Sequence, residues 1–247
     1  MFDWLFNKTP QSSQGMEKLR AQFREMLDAS RRAFQLAADG YLRHIDKDAF
    51  REELFVLDKS INKSERQIRK ELVIHAAIHG NTEFDQCLIL MSIVKDAERL
   101  GDIAKNIYDL SVVAPEAPDG MYKGKLEMLK NAILGLNDNC RHVFETQDEP
   151  MATELICQAA AIEDTCDKNI HWFLADKETP ERGDVAYALA FRYFKRYASH
   201  VRNIASSIVQ PLHKIDFTGK IVRNNPRPDD VTENASIAVE DTSNDSE

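Results

Sequence analysis

Two segments of this 247-residue chain repeat the same pattern and thereby constrain what it can fold into. The segments are 94–108 and 190–205, and they align at a shift of 97 residues, which is the distance from Asn106 to Asn203. Three pairs of residues coincide at this shift: Arg99 with Arg196, Asn106 with Asn203, and Ile107 with Ile204. An internal repeat predicts an architecture built twice from one unit.

Apolar residues recur near the helical period throughout both halves, and no segment alternates in the manner of a strand. Three helical segments precede a Pro-rich joint (APEAPDG) and three follow it. We therefore predict an all-α protein made of two tandem, pseudo-repeated three-helix bundles. The predicted parts are a flexible segment with an aromatic start (1–15), a first bundle (16–113), a linker (114–120), a second bundle (121–211) and a disordered acidic tail (212–247).

The charge distribution argues against direct contact with nucleic acid. The net charge is −9, and the seven acids between Asp229 and Glu247 account for most of it, so the body is nearly neutral. The four cysteines form no CxxC pair and no apolar run is long enough to cross a membrane, which favours a cytoplasmic protein. The large apolar residues at the start are candidates for docking to a partner or a membrane surface: Phe2, Trp4, Leu5 and Phe6.

The first half carries a candidate metal site. Glu98 and Asp102 lie one helical turn apart, on the same face as Asn106. Asp58 and Asn62 have the same spacing on the preceding helix. Oxygen ligands of this kind suit a hard divalent cation, provided that the two helices pack together. A solvated surface with salt bridges is the alternative for such acid pairs.

The second half has lost the acids of the last helix. Lys195 and Ser199 stand where Glu98 and Asp102 stand in the first half, whereas Glu163 and Asp167 retain the acids of the preceding helix. We expect a degenerate, metal-free site in which the Lys195 ammonium pairs with one of those two carboxylates.

A second pattern of metal-ligand type lies on the second helix. Glu71, His75 and His79 are spaced by one turn each, and two histidines one turn apart can chelate Zn²⁺. Histidines at the end of a helix also interact favourably with its dipole, and we prefer that interpretation here.

At these residues the chain resembles the PhoU family of phosphate-uptake regulators. The resemblance covers roughly residues 16–211, and the aromatic start resembles that of the Pit-accessory branch. It depends on four stretches: Asp58 to Glu65, Glu98 to Ile107, Glu163 to Asp167, and Arg196 to Ile204.

The resemblance implies a cytoplasmic, non-enzymatic regulator, with peripheral membrane contact, that restrains phosphate transport. Its implied partners are an ABC-type or Pit/Na-phosphate transporter, a sensor histidine kinase, or a second copy of the chain. Some members bind iron or zinc clusters at E/D-x-x-x-D motifs, which implicates Asp58, Glu98 and Asp102, while Asn62 departs from the motif. The alternatives are a metalloprotein or metalloenzyme built on the carboxylate bundle and a structural helical adaptor with vestigial acids.

Overall fold

The computed structural model describes residues 14–43, 47–79, 82–114, 121–176 and 182–225. Within these ranges the chain is helical and contains no strand, as the sequence predicts. The long helices are α1 (Gln14–Arg43), α2 (Lys47–His79), α3 (Phe84–Val113), α4 (Met121–Thr146), α5 (Glu149–His171) and α6 (Arg182–Val209). A π-helical turn (Trp172–Asp176) follows α5, a 3-10 turn (Leu212–Lys214) follows α6, and a short helix α7 (Gly219–Asn224) comes next.

Each half forms a three-helix bundle. In the first bundle α1, α2 and α3 contact one another, and in the second α5 contacts α6 and α4 contacts both. The apolar period of each helix explains its packing, because every third or fourth residue of α1 is fully buried. The start of α5 is fixed locally, since the Asp148 carboxylate accepts a hydrogen bond from the Met151 amide at 2.8 Å.

The two bundles share one continuous core instead of folding as separate units. Helix α1 packs on α4, and α3 packs on α6. Phe34 of α1 illustrates the shared core, because its ring lies 5.2 Å from that of Phe194 and 4.4 Å from that of Tyr197 in the second half. These aromatic contacts bury large apolar surfaces from both halves together.

Polar contacts between buried or half-buried side chains also cross between the bundles. The Lys130 ammonium, with a side chain only 4% exposed, lies 2.7 Å from the Asp39 carboxylate. His200 Nδ1 and Asn203 Nδ2 of α6 lie 2.7 and 3.0 Å from Asp96 Oδ1 of α3. Because buried polar groups must be satisfied, these contacts favour a single arrangement of the two bundles.

Helices α2 and α3 approach closely at Gly101. A Cβ atom at this position would lie 3.0 Å from Ile61 Cδ1, so a larger residue would require the Ile61 side chain to shift. This close approach holds the two helices that carry the first-half acids against each other.

The chain stays ordered beyond the predicted start of the tail. Residues 212–225, expected to be disordered, form the 3-10 turn and α7, and α7 packs on α5, so this part of the prediction is wrong. Ile215 and Thr218 are 5% and 2% exposed, so this segment has surface to bury that composition alone does not reveal. The rest of the predicted tail, the linker residues 115–120 and the N-terminal residues 1–13 lie outside the described residues.

The sequence predicts neither a membrane span nor a disulfide. None of the helices in the described ranges combines the length and the apolar character that crossing a bilayer requires. All four cysteines are free thiols, and three of them are buried.

Candidate functional site

The acids of α3 lie within a network of salt bridges. Glu98 is 8% exposed, and its Oε2 atom accepts a hydrogen bond from Lys95 Nζ at 2.9 Å. Arg99 lies between the two acids, with Nε 3.8 Å from Glu98 and Nη1 3.1 Å from Asp102 Oδ2. Both cations come from α3 itself, one turn or less away from the acids that they neutralise.

Helix α2 contributes a third acid that sequence reasoning missed. Glu65 is 7% exposed, and Arg69 Nη1 lies 3.0 Å from its Oε1 atom. Lys95 Nζ lies 3.9 Å from the same atom and therefore links Glu65 to Glu98 across the two helices. The available signal was spacing, because Glu65 follows Asn62 by three residues and lies on the same helical face.

Asp58 and Asn62 interact mainly with each other. Asn62 Nδ2 donates to the Asp58 backbone carbonyl at 3.0 Å and to Asp58 Oδ1 at 3.3 Å. Both side chains are half-buried. The pair is thus stabilised locally on α2.

The first-half acids do not converge into a ready-made metal site. Among the described residues, the group of three or more ligand atoms within 4.8 Å of one another is formed by His75, His79 and Glu83, and Asp58, Glu98 and Asp102 form no such group. A cation bound at Glu98 would have to compete with the Lys95 ammonium. Binding of iron, zinc or another divalent cation by these acids stays a prediction.

The degenerate site of the second half contains the expected ion pair. Lys195 Nζ of α6 contacts Asp167 Oδ2 of α5, so this ammonium meets one of the two retained acids. That this half holds no metal stays a prediction.

Glu163 finds cationic and polar neighbours of its own. Arg202 Nε lies 3.2 Å from Glu163 Oε1 in an ion pair without hydrogen-bond geometry, and the Ser199 side chain hydrogen-bonds to the carboxylate. Burial nevertheless raises the pKa of Glu163, and it outweighs the opposing effects of Arg202, Ser199 and Lys195. Sequence reasoning did not identify Arg202 as a partner of Glu163, because the residue at the same place in the first motif copy is Lys105 and not an acid.

The polar residues that the two motif copies share all remain partly accessible to solvent. Asn106 is half-buried, whereas Asn203 Nδ2 donates to Asp96 of the other bundle. Arg99 pairs with the α3 acids, and its counterpart Arg196 is half-buried on α6.

The structure separates the members of the alternative pattern on α2. Glu71 is bound by Gln67 Nε2 and lies 3.6 Å from Lys18 Nζ. His75 instead contacts Glu83, which directly precedes α3.

The predicted docking residues Phe2, Trp4, Leu5 and Phe6 lie outside the described residues.

Comparison with known proteins agrees with this architecture. Residues 23–110 match the model of the PhoU domain. No curated protein matches the chain.

Two solved structures share the fold over most of the chain. The phosphate transport system regulatory protein PhoU from Streptococcus pneumoniae is 17% identical, with a TM-score of 0.70 over 78% of this chain and 93% of its own. PhoU from Pseudomonas aeruginosa is also 17% identical, with a TM-score of 0.69 over 81% of this chain and 97% of its own. The resemblance to the PhoU family is therefore confirmed: residues 23–110 match the PhoU domain, and the chain has the fold of PhoU proteins.

Proposed function

We propose that this protein regulates phosphate transport and phosphate homeostasis by protein-protein contact, lowering uptake when phosphate is sufficient. The observation that carries the proposal is the PhoU domain at residues 23–110, which contains every first-half motif residue. The similar protein from Streptococcus pneumoniae is described as a phosphate transport system regulatory protein, which supports the same role.

The partner in this proposal is a phosphate transporter, of the ABC or Pit/Na-phosphate type, or its sensor histidine kinase. The described surface offers an apolar strip on α2 for such a contact. Val73, Ile74 and Ile78 are 63%, 49% and 72% exposed and lie within two turns of the helix. Adjacent exposed apolar side chains are typical of surfaces that bind another protein.

Phosphate uptake in a strain that lacks the protein tests the regulatory role. We expect radiolabelled phosphate uptake under phosphate-replete conditions to rise in the deletion strain and to return to normal with the wild-type chain. Unchanged uptake in the deletion strain would contradict the proposal.

A matched pair of variants tests whether the α2 strip makes the contact. Ile78→Glu places a charge on the strip, whereas Met128→Glu places one at a site on α4 that is equally exposed, at 74%. We expect Ile78→Glu to lose complementation and the copurified partner, while Met128→Glu keeps both. Equal behaviour of the two variants would exclude the strip as the docking surface.

The N-terminal residues provide a second proposed contact. Phe2, Trp4, Leu5 and Phe6 would dock on the transporter or insert into the membrane surface, as short apolar anchors do. Deletion of residues 1–6 should release the protein from the membrane fraction of lysed cells. Partitioning that stays the same after the deletion would rule out this role.

A further inference from the structure

The last turn of α2 places two imidazoles side by side. His75 and His79 are one helical turn apart, and their rings stack with centroids 4.2 Å apart and an interplanar angle of 26°. Side chains four residues apart share a helical face, so both rings lie on the same side of α2.

The next helix supplies a carboxylate to the same place. Glu83 is the N-cap residue of α3, and its Oε2 atom contacts His75 Nε2. One ligand atom from each of His75, His79 and Glu83 lies within 4.8 Å of the others. This convergence joins two elements, because Glu83 directly precedes α3 and is not on the helix that carries the histidines.

Two imidazoles and one carboxylate form a ligand set typical of Zn²⁺. Tetrahedral Zn²⁺ with bonds of about 2.0–2.1 Å places its ligand atoms about 3.3 Å apart. The ligand atoms of the three side chains lie within 4.8 Å of one another before any ion is bound, so they already approach this spacing. His75 and Glu83 are 8% and 6% exposed, whereas His79 is exposed and leaves a path for an ion from solvent.

We propose that His75, His79 and Glu83 bind one Zn²⁺ ion and that a water molecule occupies the fourth position. The ion ties the end of α2 to the start of α3. This site is separate from the α3 acids, because Glu98 lies 15 residues along the helix from Glu83, about 22 Å at the helical rise.

Glu83 distinguishes this proposal from a purely local role of the histidines. A histidine at a helix C-terminus interacts favourably with the helix dipole without any carboxylate. A Zn²⁺ site needs the third ligand, and it needs Glu83 in particular. Glu71, which has the right spacing on α2, is already held by Gln67 and Lys18.

Zinc titration of the chelator-stripped, full-length protein tests the site. The titration uses calorimetry in competition with a chelator of known affinity, and the visible spectrum of the Co²⁺-loaded protein reports tetrahedral geometry. We expect one equivalent of Zn²⁺ to bind and to raise the thermal midpoint. His79→Ala and Glu83→Gln should each weaken binding at least about tenfold and remove the thermal shift.

Two control variants give the test its specificity. Glu71→Gln makes the same chemical change on the other side of the histidine pair, and His142→Ala removes another histidine, on α4. Both should bind Zn²⁺ as the wild type does. His79 is exposed, so His79→Ala should retain the helical circular dichroism of the folded protein.

Three outcomes would overturn the proposal. One is the absence of stoichiometric Zn²⁺ binding, and another is equal loss in Glu71→Gln and Glu83→Gln. The third is binding that survives Glu83→Gln but disappears when Glu98 and Asp102 are replaced by Gln and Asn.

Discussion

The acids of the first half and those of the second half are neutralised in different ways. In the first half, Lys95 and Arg99 lie on the same helix as Glu98, and their side chains are 42% and 44% exposed. In the second half, Lys195 and Arg202 reach from α6 to acids on α5, and their side chains are only 22% and 24% exposed. The second-half cations therefore pair with acids on the neighbouring helix, whereas most first-half cations pair with acids on their own helix.

The two halves thus differ in the residues at the motif positions of their last helices. Lys195 stands where the first half has Glu98, so an ammonium group of the chain itself pairs with an acid of α5 there. The first half keeps its acids and balances them with exposed side chains that can move away. Only the first half has carboxylates at the motif positions of both helices, Asp58 on α2 and Glu98 and Asp102 on α3.

The largest expected effect concerns the close approach of α2 and α3 that the first-half network requires. Gly101→Leu should destabilise the protein by about 1–3 kcal/mol, because the new side chain collides with Ile61. Chemical denaturation measures the change. Gly135→Leu, where an added Cβ meets nothing within 4 Å, should instead be neutral or stabilising. Equal losses in both variants would show that the approach at Gly101 is not special.

The next effect compares one arginine from each half. Arg202→Met should cost about 1–2 kcal/mol of unfolding free energy, because Glu163, whose side chain is 11% exposed, loses its nearest cation. Arg99→Met should cost less than about 0.5 kcal/mol, since Asp102 is more exposed and Lys95 still neutralises Glu98. A reversed order of these two costs would break the comparison.

A smaller effect is expected for the ion pair that replaces the lost acid. A double-mutant cycle on Lys195 and Asp167 should give a coupling of about 0.2–1 kcal/mol, because the Asp167 side chain is 52% exposed and the pair is screened by solvent. The coupling should decrease at high salt. A coupling of zero would mean that Lys195 contributes no bridge between α5 and α6.

The smallest effect is the pH dependence that Glu163 contributes. Because its pKa is raised in the folded state, the folded protein holds this proton more tightly than the unfolded chain does. Stability from this group is therefore lost as the pH rises from the unfolded pKa through the folded one.

Glu163→Gln cannot ionise and therefore removes the loss of stability that ionisation of Glu163 causes as the pH rises. The variant should therefore gain stability relative to the wild type as the pH rises from about 4 to about 7. Urea denaturation of both proteins at several pH values measures this difference in unfolding free energy. A difference between the two proteins that stays constant or changes in the opposite direction would contradict the raised pKa.

Local signals in the chain were enough to predict the helical class, the two triplets of helices and the positions of both motif copies. Hydrophobic periodicity indicates which face of α1 or α3 is buried without knowledge of the partner helix. The repeat at a shift of 97 residues also aligned equivalent core positions, because Ile107 and Ile204 are both fully buried. The contact of Lys195 with a second-half acid followed from charge complementarity across neighbouring helices.

Contacts between distant segments could be found only in the folded molecule. Periodicity cannot show that Phe34 packs on Tyr197, so the prediction of two bundles did not include their shared core. The order of residues 212–225 depends on burial against the folded bundle, which a polar composition conceals. The partner of His75 was also beyond the sequence, because Glu83 lies at the start of α3 and helical spacing along α2 cannot relate the two residues.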